Sequence, residues 1–325
     1  IHDRMKEARR KLQLEGKSLY ETLSRHLPTR SMLARRHSLE TGAHRYFKVV
    51  YAERIEGDGQ GLLSDLDGAA GIILVLLPQA DHKAVLLKIE QITQSHPNIV
   101  VALPRQIDAL RGVVEEVACL NWVSDHTEEL RDDRVAKREL DLRLAEGEQR
   151  INQLLQILLD PRPAPTGNSC QWFWAGKDRK ARHTPDVTRL LSTACDQIYN
   201  KSPKVRNELV ARRKISGAAT SARRCLLDRM LNYQDHENLG IEGYPPERSI
   251  YASVLYATGI HMYDAQSGKW AFQNPPKDNK MNLAPCWTVL EETIFSPEVE
   301  QISLDLLFDK LAQAPYGLPQ GIHPI

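Results

Sequence analysis

The sequence predicts an α/β domain followed by a mostly helical one, on three observations. Two continuous apolar runs, 71–77 (GIILVLL) and 98–103 (NIVVAL), are each followed by a helical pattern, the signature of a small, mainly parallel sheet buried on both faces and flanked by helices. A long amphipathic stretch occupies 127–159. Beyond a Pro-rich break at 160–170 (DPRPAPTGNSC), the apolar periodicity is helical almost throughout. The expected layout is N-terminal helices over 1–45, the α/β domain over 46–126, a long connector helix over 127–160, and a helical domain with helix-turn-helix or winged-helix-like character over 161–325.

Taken in order, residues 2–36 read as two amphipathic helices with basic outer faces, Met5, Ala8 and Leu12 lining the first and Leu19, Leu23 and Leu27 the second. Residues 46–52 (YFKVVYA) alternate as a strand does. Gly57, Asp58 and Gly59 then predict a turn into a returning strand near 61–65, a reading that outweighs a chelating role for Asp58. Helices over 81–95 and 106–118 alternate with the two apolar strands, and a short run at 120–123 closes the series.

In such sheets a ligand sits beyond the carboxyl ends of the strands. That places Asp81, Arg105, Asp125 and His126, with Gln79 and Gln106 beside them, on a candidate ligand edge, although each also suits ordinary capping. Neither G-x-x-x-x-G-K-[ST] nor G-x-G-x-x-G occurs, so the sequence offers no glycine-rich cradle for a nucleotide phosphate.

The 127–159 helix would start at a capping box of Asp125 and Glu128 and carry Leu140, Leu144, Ile151, Leu155 and Leu158 on one face. At 1.5 Å per residue it would reach ~50 Å, enough to join two domains. After the Pro-rich break, Trp172, Phe173 and Trp174 stand beside Lys177, Arg179, Lys180 and Arg182. They either anchor the linker to a core or stack on bases of a single strand.

The stretch 199–231 concentrates helix signals, small residues and positive charge. Ser202 and Pro203 predict a helix start, with Val205, Leu209 and Val210 buried and Lys204, Arg206, Arg212, Arg213 and Lys214 outside. Ser216 and Gly217 break this helix and open a second, in which Ala218, Ala219 and Ala222 allow close approach and Arg223 and Arg224 extend the basic face. So many like charges cannot neutralise one another locally, and the face calls for an anionic partner. Further on, a rigid turn at 239–247 enters a helix over 247–258, and an extended piece at 270–272 precedes helices near 285–295 and 303–311. The turn at 314–319 and the start at Ile1 read as the two cut ends of a piece of a longer protein.

Charge falls in blocks: +7 over 1–48, −8 over 49–150, +9 over 160–230 and −7 over 231–325, against +1 for the whole. Such blocks fit nucleic-acid contact by the basic segments or pairing of opposite blocks with one another. The longest apolar run, 69–77, is far short of the roughly 20 residues a membrane helix needs. Five cysteines without C-x-x-C spacing argue against a zinc site or a disulfide framework and for reduced thiols in a cytoplasm.

Three groups of residues carry a family resemblance: Ser202, Pro203, Asn207, Arg212, Ser216, Ala218 and Ala222; then 239–251 (LGIEGYPPERSIY); then 315–318 (PYGL). They resemble the region C-terminal to the ATPase core of very large P-loop proteins from bacterial phage-defence islands, of the BREX type, and the segment from Trp122 to Leu140 extends the likeness. The resemblance implies a role in a defence complex that handles DNA, with ATP and Mg bound by a P-loop elsewhere in the parent chain and no cofactor here. The partners it implies are DNA and other subunits of that complex.

The residues themselves favour a non-enzymatic module that touches DNA phosphates through Lys204, Arg206, Arg212, Arg213, Lys214, Arg223 and Arg224. A protein-assembly scaffold without DNA contact is the alternative. A nuclease-like enzyme is the third reading, but it needs clustered carboxylates, and Asp132, Asp133 and Glu139 read as a solvated helix face. No catalytic or metal-binding set is expected.

Overall fold

The computed structural model describes residues 2–14, 20, 23–24, 26–64, 66–77, 82–127, 133–211, 215–295 and 303–325. The chain divides into two compact units, Ile1–Met32 with Phe47–Leu190, and Leu33–Tyr46 with Leu191–Ile325.

The first unit is α/β. Its six strands lie in the sheet in chain order: β1 (Ser31–Leu33), β2 (Tyr46–Ala52), β3 (Gly71–Leu76), β4 (Ile99–Leu103), β5 (Gln171–Trp174) and β6 (Lys177–Asp178). Strands β2, β3 and β4 are parallel, whereas β5 and β6 add antiparallel to β4. The sheet is therefore mixed where a mainly parallel one was expected. Every residue of β3 and β4 is buried, as their unbroken apolar runs require of strands covered on both faces. Helix α3 (His82–Ser95) supplies part of the cover, with Ile89 and Ile92 packed among Ile72, Leu74, Ile99 and Val101.

Four expectations fail here for identifiable reasons. The Gly57–Gly59 turn leads into a 3₁₀ helix, Gln60–Leu63, not a returning strand, because β2 and β3 run parallel and a tight hairpin cannot join parallel strands. Asp58 accepts the Gln60 N–H at 3.1 Å, an ordinary turn contact. The run at 120–123 is no strand: helix α4 spans Asp108–His126, and Leu110, Val114, Val117, Leu120 and Val123 are buried at steps of three and four. Helix α5 (Arg134–Ile157) starts later than expected, capped by Asp133, whose carboxylate accepts the N–H groups of Val135 and Ala136. Asp125 lies inside α4, and Glu128 is outside the described residues.

Nor is α5 a connector. It folds back on α4 as a helical hairpin that also takes helix α1 (His2–Leu14): Ala8, Cys119, Leu120, Val123 and Leu140 share one cluster. Gly147 allows the approach, since a Cβ there would sit 2.4 Å from Val117 Cγ2. Residues 160–170 then return the chain to the sheet. In that turn Asp160 accepts from Arg162 N and Nε, and the guanidinium beside it holds its carboxyl below the usual range. Trp172, Phe173 and Trp174 are buried in β5, and Trp174 Nε1 donates to Pro97 O at 2.8 Å. They anchor the core, and buried rings of this kind are closed to bases.

The second unit is mostly helical. It holds α2 (Arg35–Thr41), the C-terminal half of α6 (Thr184–Ile198), α7 (Glu208–Ala211), α8 (Gly217–Asn232), α9 (Pro246–Ile250), α10 (Ala284–Ile294) and α11 (Leu304–Ala312), with a separate hairpin of β7 (His261–Asp264) and β8 (Lys269–Phe272). Helix α9 passes directly into a π-helix, Tyr251–Tyr256. One core, including Val205, Val210, Leu226, Tyr251, Val254 and Leu307, joins these elements.

Candidate nucleic-acid interface

The basic stretch begins differently from the expectation. Pro203 does not open a helix: residues 202–207 have no regular secondary structure, and helix α7 is only four residues long. Burial alternates along this segment, with Val205 and Asn207 inside and Lys204 and Arg206 exposed, which is the period of an extended chain and not of a helix. Backbone contacts hold it: Lys204 N donates to Met281 O at 2.7 Å, and Asn282 Nδ2 donates to Ser202 O at 3.0 Å. The helix cap is Asn207, not Ser202. Its Oδ1 accepts Leu209 N at 2.9 Å, while its Nδ2 donates to Ser249 O at 3.0 Å and Ser253 Oγ at 2.9 Å. Ser202 Oγ is buried without a partner.

The second helix follows the sequence closely. Ser216 caps α8 by accepting Ala219 N at 3.2 Å, and Ala219, Ala222 and Leu226 face the core. On its outer side Arg224 is exposed and Arg223 half-buried. The 202–207 segment and α8 pack on the same core through Val205, Ala222 and Leu226, so both turn their cations outward from one unit. No acid among the described residues forms an ion pair with Lys204, Arg206, Arg223 or Arg224. Arg206 Nε makes one long contact, 3.5 Å, to the Glu40 carbonyl. Arg212, Arg213 and Lys214 lie outside the described residues.

The candidate ligand edge lies only partly within the described residues. Asp81 lies outside the described residues, and Arg105 does follow β4 at its carboxyl end. The loop beside Arg105 is closed by Asn168, whose side chain accepts from Gln106 N at 3.0 Å and donates to Gln106 O at 2.9 Å. Asp125 and His126 are in the last turn of α4, not at a strand end. His126 stacks on Trp122 with centroids 4.5 Å apart, and its Nδ1 lies 2.9 Å from the Trp122 carbonyl. These are local helix contacts.

Two clusters escaped the sequence reading. In the first, His37, buried on α2, meets Asp196 of α6 through Nδ1, and Arg36 ion-pairs with the same carboxylate. Burial, with Arg45 and Arg36 nearby, lowers the His37 pKa below its ordinary value despite the Asp196 bond. Arg45 lies 4.2 Å above the Tyr199 ring and donates to the Gly317 carbonyl. The second is aromatic: Tyr251, Tyr256, His261, Tyr263, Trp270 and Phe272, on the π-helix and the hairpin. Alternating aromatic residues at 261–263 and 270–272 were its available signal; nothing local marks the first.

Among the described residues, no group of three or more His, Cys, Asp or Glu side chains could hold a metal ion, and no helix is long and apolar enough to cross a membrane. The five cysteines are free; Cys119, Cys170, Cys195 and Cys286 are buried and Cys225 is exposed. No family model, curated protein or solved structure matches the chain.

Proposed function

We propose that the chain is a non-catalytic region of a bacterial antiphage-defence ATPase that contacts DNA phosphates through the basic surface of its second unit. The observation that carries the reading is the set of outward cations on 204–224, of which Lys204, Arg206, Arg223 and Arg224 lack an ion-pair partner among the described residues. Unpaired surface cations on one core attract polyanions over a Debye length and do not discriminate between bases. The sequence adds Arg212, Arg213 and Lys214 to the cations of this stretch. The winged-helix-like part of the proposal has α8, a 3₁₀ helix over Glu237–Gly240, α9 with its π-helix and the β7–β8 hairpin as its successive elements, with the hairpin as the wing. ATP and Mg belong, in this proposal, to a P-loop in the parent chain, and other subunits of the defence complex are further partners.

Assembly without DNA contact is the second reading. It is favoured by the exposed Phe295, Leu304 and Leu306, apolar side chains that a subunit interface would cover. Titrating the chain with duplexes of unrelated sequence separates the two. Phosphate contact predicts similar affinity for all of them and a steep loss between about 50 and 200 mM salt. Absence of duplex binding at the lower salt would leave the assembly reading in its place.

A further inference from the structure

The cations that follow the buried Trp172, Phe173 and Trp174 belong to the first unit, and the structure gives them a fixed mount. Ala175 and Gly176, at φ +50° and +68°, turn β5 into β6, and Arg179 N extends that ladder by donating to Trp172 O at 2.8 Å. Arg179 Nε donates to Trp174 O at 2.9 Å, with the guanidinium 4.7 Å from the centroid of the Trp174 ring. Lys180 sits in the left-handed region at φ +48°, its N–H bonded to Asp178 Oδ1 at 2.8 Å. The N–H groups of Arg182 and His183 donate to Asp186 Oδ2 at 3.0 and 3.1 Å. Residues 177–183 are therefore pinned along their whole length.

The same bonds occupy the acids around the loop. Asp178 serves the Lys180 N–H, and Gln171 Nε2 lies 3.5 Å from its other oxygen. Asp186 is shared between two backbone N–H groups and Arg189, 3.1 Å away. Asp160, on which His183 acts, is held by Arg162. Glu90 of α3 passes beside Gly176, its carbonyl oxygen 3.6 Å from where a Cβ would sit, yet forms no ion pair with the loop. Lys177, Arg179, Lys180 and Arg182 are all exposed, and among the described residues none of them has a carboxylate at ion-pair distance.

Four cations in six residues on a fixed backbone suit a chain of phosphates, and pre-organisation removes most of the ordering cost of binding. A protein partner would need an apolar centre as well, and the loop exposes no large apolar side chain. With Trp172, Phe173 and Trp174 buried, bases find no ring to stack on, which confines contact to the backbone.

We infer that the 177–183 loop is a surface of the first unit that contacts the phosphodiester backbone of nucleic acid through Lys177, Arg179, Lys180 and Arg182. None of these is among the cations assigned to DNA on the second unit, so the two surfaces stand or fall separately.

Duplex binding by the whole chain is the test. In Lys177→Gln, Lys180→Gln and Arg182→Gln combined, the slope of log K against log salt should flatten by about 0.9 per cation, up to about 2.7, with affinity falling alike on unrelated sequences. Comparison with Lys204→Ala, Arg206→Ala and Arg224→Ala combined separates the surfaces. Flattening by the loop changes alone supports the loop and removes the second-unit reading; flattening by the second-unit changes alone does the reverse. In the unaltered chain, duplex at low salt should shield Lys177 and Lys180 from acetylation relative to the exposed Lys137 on α5. Unchanged acetylation of both lysines overturns the inference even if the glutamine variant fails to fold. So does a folded glutamine variant with the original slope. Polyglutamate that shields the two lysines as well as the duplex does would also overturn it, and would make an acidic protein segment the partner.

Discussion

His37 Nδ1 lies 2.9 Å from Asp196 Oδ1 although 159 residues separate them, and the contact ties the short helix α2 to α6 within the second unit. Arg36 and Arg45 are the other charges that act on the imidazole. Burial raises the Asp196 pKa, but hydrogen bonds from Arg36 and His37 outweigh it and leave the carboxyl below its usual range. His37 itself is shifted down, chiefly by burial, so the folded chain holds it neutral while the unfolded chain protonates near pH 6.5. The stability that this neutral imidazole contributes is complete above pH 6.5 and is lost as pH falls toward the depressed folded-state value. His261 and His323, also lowered by burial, act in the same direction. Melting temperature should therefore drop between about pH 7.5 and 5.5, and His37→Gln should flatten that drop without abolishing it. Parallel profiles for the two proteins would show that His37 does not titrate as described.

Asn207 makes more of the second unit's polar structure than any neighbour on the basic stretch. Asn207→Ala removes the cap of α7 and the donor to the Ser253 hydroxyl, and leaves the Ser249 carbonyl with the Ser253 hydroxyl as its remaining side-chain donor. Roughly 2–3 kcal/mol of stability should disappear in urea denaturation. A change below about 0.5 kcal/mol would mean that the segment is held by its backbone bonds alone.

Gly42 ends α2 in the left-handed region, φ +71°, and a Cβ there would meet the Val205 carbonyl oxygen at 2.1 Å. Gly243 has the same φ but open space around it, so it isolates the conformational cost. Gly243→Ala should cost about 1 kcal/mol and Gly42→Ala about 2 kcal/mol or more. Equal costs would rule out the close approach of 205 to α2.

The thiols offer a check on burial. Burial raises the pKa of Cys119, pushes Cys195 and Cys286 up to about 12, and takes Cys170 higher still, whereas Cys225 is exposed. A thiol reagent at pH 8 should titrate one cysteine rapidly in the native chain and five after unfolding. Disappearance of the fast phase in Cys225→Ser confirms the assignment; two or more fast thiols would contradict the packing.

What was legible in the sequence follows from how local each signal is. Strands β3 and β4 were visible because a strand buried on both faces has no polar alternation to hide it, and the Ser216 start of α8 because a cap is a contact over three residues. The run at 120–123 misled because its apolar residues fit a short strand until Leu110, Val114 and Val117 extend the helical period through it. Residues 202–207 misled in the opposite way: Ser-Pro is a helix start only when the backbone N–H groups after it go unclaimed, and here Met281 O claims that of Lys204. The His37–Asp196 contact and the aromatic cluster depend on residues brought together by tertiary packing, which no window of sequence holds.

The central claim, phosphate contact by the basic surface, is tested most directly by the salt dependence of duplex binding for Lys204→Ala, Arg206→Ala and Arg224→Ala combined. All three side chains are exposed, so the melting temperature should hold. Every cation removed from a phosphate should flatten the slope of log K against log salt by about 0.9, so up to about 2.7 for the three, with affinity falling equally on all sequences. An unchanged slope and affinity in a folded triple variant would contradict the account.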